Sequence, residues 1–359
     1  MIGVNREAEW CSEHAESAGQ GGRRLPDMRN PARSIPEKAI ARMTVRPPSF
    51  MMPFLRSAKL ATLRRRANSA ARGPSPADDA PARACGFVVG AGRSGTTILG
   101  EILSAHPGIH YLFEPYHLWA AVEPRTDVTN LHIRVDGRFM MTERDATEEV
   151  RRRFRRLVFA MGRDGQLLVE KTPHNVARIG FLEVLAPGSR YVHLVRNGVD
   201  VARSVDRIAS ANRYRMAGKP DYNQWWGEHG VKWAALARDG ADAGYFPDEV
   251  DLLTTHAQRG AYEWIVSLGE ADRWRDRLGE RLVEITLAGL IGDAPRTLGR
   301  ICELFGIDVP AAWLAHAQER LRPERRIGGA ALALPPAIRE RFNELQDRYG
   351  FEGRATAMG

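Results

Sequence analysis

The most constraining feature of this chain is a glycine-rich loop that lies between a short apolar segment and a helix. The apolar segment covers residues 87–89, and the loop passes through Gly90, Gly92 and Gly95 before a helix predicted to begin near Thr96. Glycines let a backbone approach an anion closely, and the first N–H groups of a helix point toward it with a partial positive charge. The sequence therefore predicts a phosphate-binding loop at the end of a buried strand.

One position separates this loop from the nucleotide P-loop. The spacing from Gly90 to Gly95 matches that motif, but Thr96 stands where the motif has its lysine. A P-loop kinase or NTPase is the alternative enzyme class, and the missing lysine disfavours it. The residues predicted to bind the anion are Gly92, Arg93, Ser94, Gly95, Thr96 and Thr97.

Composition limits the kinds of binding partner and the cellular compartment that we expect for this chain. The chain has 359 residues and a formal net charge of +8, which suits an anionic ligand, a membrane surface or a nucleic acid. Its cysteines (Cys11, Cys85 and Cys302) show neither CxxC pairs nor metal-ligand spacing, so we expect a reduced, cytoplasmic setting. No apolar run reaches the roughly 18 residues of a membrane-spanning helix. We expect a soluble protein without a transmembrane segment.

Residues 1–84 differ from the rest in composition. They are rich in Arg, Pro, Ala, Ser and Gly, and predict a mostly disordered basic arm whose removal leaves the fold unchanged. Two pieces, 36–43 and 53–66, have helical patterns, and the second is basic and amphipathic. A nucleic-acid-binding protein that uses this arm and the arginines of 151–156 is the alternative from a different functional class.

Strand and helix patterns alternate from residue 85 onward. Strands are predicted at 87–89, 109–113, 167–169, 191–195 and 282–287, with helices between them. This alternation predicts an α/β fold: a P-loop-like three-layer α/β/α arrangement with a central parallel sheet and helical additions. One domain over residues 85–359 is expected to follow the arm.

A second candidate anion site follows the fourth predicted strand. Arg196 ends the strand, a turn follows at Asn197 and Gly198, and Ser204 lies on the second turn of the next helix. Strand carboxyl ends line the ligand crevice of a parallel sheet, so Arg196 is expected in the same crevice as Arg93. Two anion sites on one sheet indicate a ligand with phosphates at both ends of a nucleoside.

These elements together resemble the sulfotransferases that use 3′-phosphoadenosine 5′-phosphosulfate (PAPS), in the bacterial and Golgi-type branch with an Arg-Ser-Gly-Thr-Thr loop. Three further segments agree with that branch: 106–115, 170–174 and 287–306. The resemblance implies that residues 93–97 hold the 5′-phosphosulfate and that Arg196 and Ser204 hold the 3′-phosphate. It also suggests that residues 325–329 close over the 3′-phosphate.

Two departures from the family pattern stand near these elements. Residues 285–289 replace the usual Arg-Tyr-Glu-Asp run, and Gly198 stands where many members have proline. Neither departure changes a residue that the resemblance places on a phosphate.

The implied chemistry assigns catalytic roles to Arg93, Glu114, Lys171 and His174. In-line transfer of a sulfuryl group to a hydroxyl depends on positioning and on cations at the leaving oxygen, and no metal is expected. Glu114 is the candidate general base and His174 the other candidate, while Lys171 is expected on the bridging oxygen or the acceptor. The co-substrate is PAPS and the co-product adenosine 3′,5′-bisphosphate.

The acceptor is left open by the sequence. A small-molecule, carbohydrate or lipid-linked acceptor fits a helical region that begins near Trp225, and no nucleic-acid partner is expected. Intact phosphate-binding elements disfavour a degenerate fold that serves only as a scaffold.

Overall fold

A parallel sheet organises the part of the chain that the structure describes. The computed structural model describes residues 51–74, 83–324 and 327–358. The five strands of the sheet lie in the order β2-β3-β1-β4-β7, and every neighbouring pair is parallel. The strands are β1 (Gly86–Val89), β2 (Ile109–Phe113), β3 (Leu167–Lys171), β4 (Arg190–Val195) and β7 (Leu282–Thr286). The predicted α/β fold with a central parallel sheet is confirmed.

Helices cover both faces of this sheet, because alternate residues of each buried strand point to opposite sides. In β1, Phe87 and Val89 join one apolar cluster and Val88 joins another. The helices are α1 (Met52–Arg72), α2 (Thr96–Ser104), α3 (Tyr116–Val122), α4 (Glu148–Met161), α5 (Ile179–Leu185), α6 (Gly198–Ala211), α7 (Val231–Asp242), α8 (His256–Leu278), α9 (Leu287–Gly292), α10 (Ala294–Phe305), α11 (Ala311–Arg320) and α12 (Pro336–Arg348).

Short strands complete the fold outside the main sheet. Strands β5 (Tyr222–Asn223) and β6 (Gly227–Glu228) form an antiparallel ribbon, and β8 (Ala333–Leu334) pairs with β9 (Thr356–Ala357) in parallel. The ribbon interrupts the region from Trp225 that the sequence predicts as helical. The helix predicted between the third and fourth strands is also divided, since Pro173–Arg178 is a 3-10 helix and α5 follows it.

Helix α1 lies within the arm that the sequence predicts to be mostly disordered. It contains the helical piece predicted at 53–66, extends it to Arg72, and packs against α3 and α4. Ala67 and Ala71 on its inner side are each 2% exposed and belong to the apolar core. Small side chains let the helix approach closely, so a truncation that removes α1 uncovers apolar surface. The piece predicted at 36–43 lies outside the described residues.

The parallel direction of the strands brings four sequence motifs to one edge of the sheet. Gly90 follows β1, Glu114 follows β2, Lys171 ends β3 and Arg196 follows β4. Two hydrogen bonds tie these ends together: the Gly90 N–H donates to the Pro173 carbonyl at 3.0 Å, and the Glu114 N–H donates to the Lys171 carbonyl at 2.9 Å. This edge is where ligands bind in open parallel sheets.

A buried carboxylate lies beside this edge, one residue before Lys171. Glu170 is 4% exposed and accepts hydrogen bonds from Trp119 Nε1 at 3.1 Å and from Asn175 Nδ2 at 3.2 Å, and its third donor is the Thr172 hydroxyl. Burial raises the pKa of Glu170 from 4.5 to about 7, although these three hydrogen bonds oppose the rise. Between pH 4.5 and about 7, the folded chain therefore binds more protons than the unfolded chain does.

Packing of α1 is tested by placing a charge on its inner side. Ala67→Glu buries an unpaired carboxylate against α3 and α4, so we expect the free energy of unfolding to fall by about 2–4 kcal/mol. Urea denaturation followed by circular dichroism measures the loss. Ser69→Glu, on the exposed side of the same helix, is the control and is expected to change little. Equal stability of the two variants would show that α1 does not pack as described.

Glu170 makes the stability of the protein depend on pH. Because its folded pKa is raised, the folded chain holds a proton that the unfolded chain releases near pH 4.5, and stability falls as pH rises from 4.5 to about 7. The shift corresponds to about 3 kcal/mol at 1.36 kcal/mol per pKa unit. Glu170→Gln is expected to lose this slope in urea denaturation across pH 4.5–8. The exposed Glu280→Gln variant should keep it, and parallel profiles for Glu170→Gln and the unsubstituted chain would refute the assignment.

Candidate active site

The loop after β1 is curled by three residues with positive φ. Gly90 has φ 145°, Arg93 70° and Gly95 96°. A side chain at Gly90 would place its Cβ 2.5 Å from the Leu194 carbonyl oxygen, so only glycine fits beside β4. Arg93 is a non-glycine residue in the left-handed region, a conformation that costs about 1–3 kcal/mol and is concentrated at functional sites. Strained loops of this kind are concentrated at ligand-binding and catalytic sites.

Helix α2 presents unpaired donors at the end of this loop. Gly95 is its N-cap residue and has no side chain to accept the first N–H groups, and the first turn contains no acidic residue. Thr96 and Thr97 open the helix. The hydroxyl of Ser94 is buried and has no hydrogen-bond partner among the described residues. Such a helix start, beside an orphaned hydroxyl, has the chemistry of an anion-binding site.

The two predicted anion sites adjoin each other. Arg93 Nε donates a hydrogen bond to Ser204 Oγ at 3.1 Å, and Arg196 Nη1 donates to the Arg93 carbonyl oxygen at 3.1 Å. Ser204 is 6% exposed on α6. The structure thus places Arg93, Arg196 and Ser204 in one continuous cluster.

The start of α6 explains why glycine stands at position 198. The Gly198 N–H donates to Gln346 Oε1 at 2.9 Å, a bond that proline could not make. A Cβ on Gly198 would lie 2.9 Å from the rings of Phe342 and Trp264. The preceding Asn197 caps the helix by accepting from the N–H groups of Val199 and Asp200. Packing against α8 and α12 therefore takes the place of a proline turn.

A cavity of about 180 Å³ opens beside Arg196. It is lined by Arg196, Asn197, Asp200, Ala288, Glu324, Gly350, Phe351 and Glu352. Ala288, from the segment that departs from the family pattern, offers a small apolar wall. Of the segment expected to close over the 3′-phosphate, Arg325 and Arg326 lie outside the described residues. Its Ile327 donates a backbone hydrogen bond to Asp200 at 3.0 Å.

Glu114 and Lys171 form an ion pair at the ends of β2 and β3. The Lys171 side chain is 0% exposed and its Nζ lies 3.9 Å from the centroid of the Phe113 ring, while the Glu114 side chain is 27% exposed. Glu114 has φ 38°, a second strained residue at this edge. The carboxylate therefore faces partly outward and its cation is held in the interior.

His174 is buried in an aromatic stack. Its ring lies parallel to Tyr116 with centroids 5.7 Å apart, and its Nε2 has no hydrogen-bond partner among the described residues. Burial lowers the pKa of His174 well below 6.5, and the charges of Arg178 and Lys232 lower it further. The ring is therefore neutral at neutral pH and holds a proton only weakly.

A buried ion pair near the loop was missed by sequence reasoning. Lys232 Nζ lies 2.9 Å from both carboxylate oxygens of Glu263, and both residues are at most 5% exposed. Lys232 Nζ also lies 4.1 Å from the centroid of the Trp225 ring. A Cβ on Gly92 would meet that ring at 2.4 Å and Glu263 Oε1 at 3.5 Å. The pair therefore lies against the loop.

Only a weak sequence signal pointed to this pair. Lysine is rare in the chain, and Lys232 is one of five. Glu263 sits inside the long helix α8, where its surroundings in sequence do not distinguish it from a surface carboxylate. The contact depends on how α7 and α8 pack, which no local pattern reports.

The described residues hold neither a metal-binding cluster nor a membrane-spanning helix. They contain no group of three or more His, Cys, Asp or Glu side chains placed to hold a metal ion. Among the helices that the structure describes, none combines the length and apolar character needed to cross a bilayer.

Solved structures that resemble this chain are distant in sequence. The sulfotransferase domain of the Synechococcus PCC 7002 olefin synthase is 17% identical, with 78% of this chain and 99% of that one covered and a TM-score of 0.43. Mycobacterium avium sulfotransferase STF9 is 15% identical, with 77% of this chain and 80% of that one covered and a TM-score of 0.45. Mouse sulfotransferase SULT7A1 complexed with PAP is 13% identical, with 74% of this chain and 71% of that one covered and a TM-score of 0.37.

A family match covers the part of the chain that contains the candidate site. A search of curated proteins finds no significant match. Residues 87–250, in contrast, match the profile described as "Sulfotransferase family". The matched segment contains the loop after β1, Glu114, Lys171, Arg196 and Ser204, and over these residues the chain is similar to the sulfotransferase family.

Proposed function

We propose that this chain transfers a sulfuryl group from PAPS to a hydroxyl of an acceptor. The observation that carries the proposal is the continuous cluster of Arg93, Ser204 and Arg196, joined by two hydrogen bonds of 3.1 Å. One nucleotide with a charged group at its 5′ end and a phosphate on its 3′ oxygen fits such a cluster. PAPS supplies the activated sulfuryl group.

The loop and α6 would hold the two ends of this nucleotide. The unpaired N–H groups at the start of α2 and the hydroxyls of Ser94, Thr96 and Thr97 would bind the 5′-phosphosulfate. Arg196 and Ser204 would bind the 3′-phosphate, because a guanidinium fork matches phosphate oxygens. Arg93 lies between the two and would stabilise the charge that develops on the leaving phosphate oxygen.

The transfer step moves one proton and breaks one bond. The acceptor oxygen forms a bond to sulfur while the bond between sulfur and the 5′-phosphate oxygen breaks, and that oxygen leaves with the electron pair. Glu114 takes the proton of the acceptor hydroxyl. Lys171, held beside Glu114, would contribute positive charge at the transferred group or the acceptor. A sulfuryl group is singly charged, so these cations suffice in principle, and transfer without a metal stays a prediction.

Glu114 is preferred over His174 as the general base. The Glu114 side chain is 27% exposed, so an acceptor can reach it, whereas His174 is 5% exposed and stacked on Tyr116. The lowered pKa of His174 also makes it a weak proton acceptor. His174 would instead form part of the wall of the site.

Aromatic and charged residues beside the loop would receive the acceptor. Trp225 covers Gly92, and the pair of Lys232 and Glu263 lies behind its ring. Trp225 Nε1 and His174 Nε2 are buried without partners among the described residues, so an acceptor with oxygen atoms can satisfy them. A small-molecule, carbohydrate or lipid-linked alcohol fits, and a cytoplasmic location and the absence of a nucleic-acid partner stay expectations.

Removing Arg196 tests the 3′-phosphate assignment. Arg196→Ala is expected to weaken binding of adenosine 3′,5′-bisphosphate roughly 10- to 100-fold, because a charge-assisted hydrogen bond contributes about 1.5–3 kcal/mol. Binding of adenosine 5′-monophosphate, which lacks the 3′-phosphate, should change little. Isothermal titration calorimetry measures both ligands.

Arg207→Ala is the matched control, because Arg207 is exposed on the same helix α6. It should bind both ligands as the unsubstituted chain does. Unchanged affinity of Arg196→Ala for the bisphosphate, or binding of ATP and GTP in its place by the unsubstituted chain, would count against the proposed function and in favour of a P-loop kinase or NTPase.

Removing the carboxylate of Glu114 tests the base. Glu114→Gln is expected to reduce kcat by about 100-fold or more, the usual contribution of a general base, while affinity for adenosine 3′,5′-bisphosphate is kept. Turnover is measured with labelled PAPS and an acceptor found by screening alcohols. Glu280→Gln, at an exposed position, is the control. Undiminished kcat in Glu114→Gln would return the role to His174.

A further inference from the structure

The carboxylate of Glu324 forms an ion pair with Arg196. Arg196 Nε donates to Glu324 Oε1 at 2.6 Å, and the side chains are 12% and 24% exposed. Both residues line the cavity of about 180 Å³. The pair therefore lies at the proposed 3′-phosphate site and faces the space that a ligand would enter.

This ion pair uses a donor that a phosphate would need. Arg196 Nη1 is committed to the Arg93 carbonyl, which orients the guanidinium toward the loop, and Nε is held by Glu324. Carboxylate and phosphate oxygens make the same charge-assisted hydrogen bonds to a guanidinium. A phosphate bound to this edge of Arg196 must therefore displace the Glu324 carboxylate.

Two other acidic residues of the cavity accept hydrogen bonds from partners other than Arg196. Asp200 Oδ1 accepts the Ile327 N–H at 3.0 Å, and the backbone carbonyl of Glu352 accepts Asn197 Nδ2 at 2.7 Å. Among the described residues, the carboxylate that pairs with this guanidinium is therefore that of Glu324.

We propose that Glu324 competes with the 3′-phosphate of a nucleotide for Arg196 and so weakens binding of nucleotides that carry this group, an inference that rests on the proposed function. A phosphate monoester carries a charge of about −1.5 to −2 at neutral pH and three acceptor oxygens, so it outcompetes a single carboxylate. A nucleotide without this group leaves the ion pair intact and gains nothing from Arg196. Glu324 thus lowers affinity for nucleotides that carry a 3′-phosphate and leaves affinity for nucleotides without it unchanged.

The test removes the charge of Glu324 and compares two ligands that differ by one phosphate. Glu324→Gln is expected to bind adenosine 3′,5′-bisphosphate about three- to tenfold more tightly than the unsubstituted chain, in the range of partly exposed ion pairs. Affinity for adenosine 5′-monophosphate should be unchanged. Glu319→Gln, an exposed carboxylate near the end of α11, removes the same charge away from Arg196 and should change neither affinity. Calorimetry at fixed ionic strength measures all three chains.

Five results would overturn the inference. Equal affinity of Glu324→Gln and the unsubstituted chain for the bisphosphate would show that no competition occurs. Weaker binding would show that Glu324 supports the ligand. An equal gain for the monophosphate, or the same gain in Glu319→Gln, would show a general effect of charge. Failure of the unsubstituted chain to bind either nucleotide would instead refute the proposed function, and the inference with it.

Discussion

The parallel register of β3, β1 and β4 is the constraint on which the site depends. Lys171 pairs with Val88 across β1 and β3, and Val89 pairs with His193 across β1 and β4, so three strands end at nearly the same height. The loop after β1 is thereby flanked by Lys171 on one side and Arg196 on the other. Because the loop has unpaired backbone donors of its own, cations and amides converge there without any side chain crossing the sheet.

Buried charge is concentrated at this edge and has a cost. Lys171 with Glu114 and Lys232 with Glu263 are pairs in which at least one partner is almost fully buried. Desolvation of such charges often exceeds the attraction between them, so buried ion pairs are weak stabilisers of a fold. Strained φ values at Arg93 and Glu114 add to the cost at the same place. Both observations agree with a site arranged for a ligand rather than for stability.

Much of the fold was predictable because it rests on local patterns. The five strands of the sheet, the loop and α2, α4, α6, α10 and α12 follow apolar periodicity, glycine positions and caps that the sequence displays. At α1 the sequence predicted a helix over 53–66 but not its packing, because the inner side is built from Ala67 and Ala71, whose apolar signal is weak. The small alanine side chains let α1 pack closely against α3 and α4, and this contact cannot be read from the sequence of α1.

The sequence by itself determined the elements for which anion binding is proposed, because a glycine loop before a helix and an arginine after a strand are properties of neighbouring residues. It also determined the parallel sheet that brings these motifs to one edge. Only the tertiary structure decided which side chains face them: Glu324 on Arg196, Trp225 over Gly92, Lys232 on Glu263, and the burial that keeps His174 neutral. These contacts join residues far apart in the chain, and desolvation exists only once helices have packed over the site.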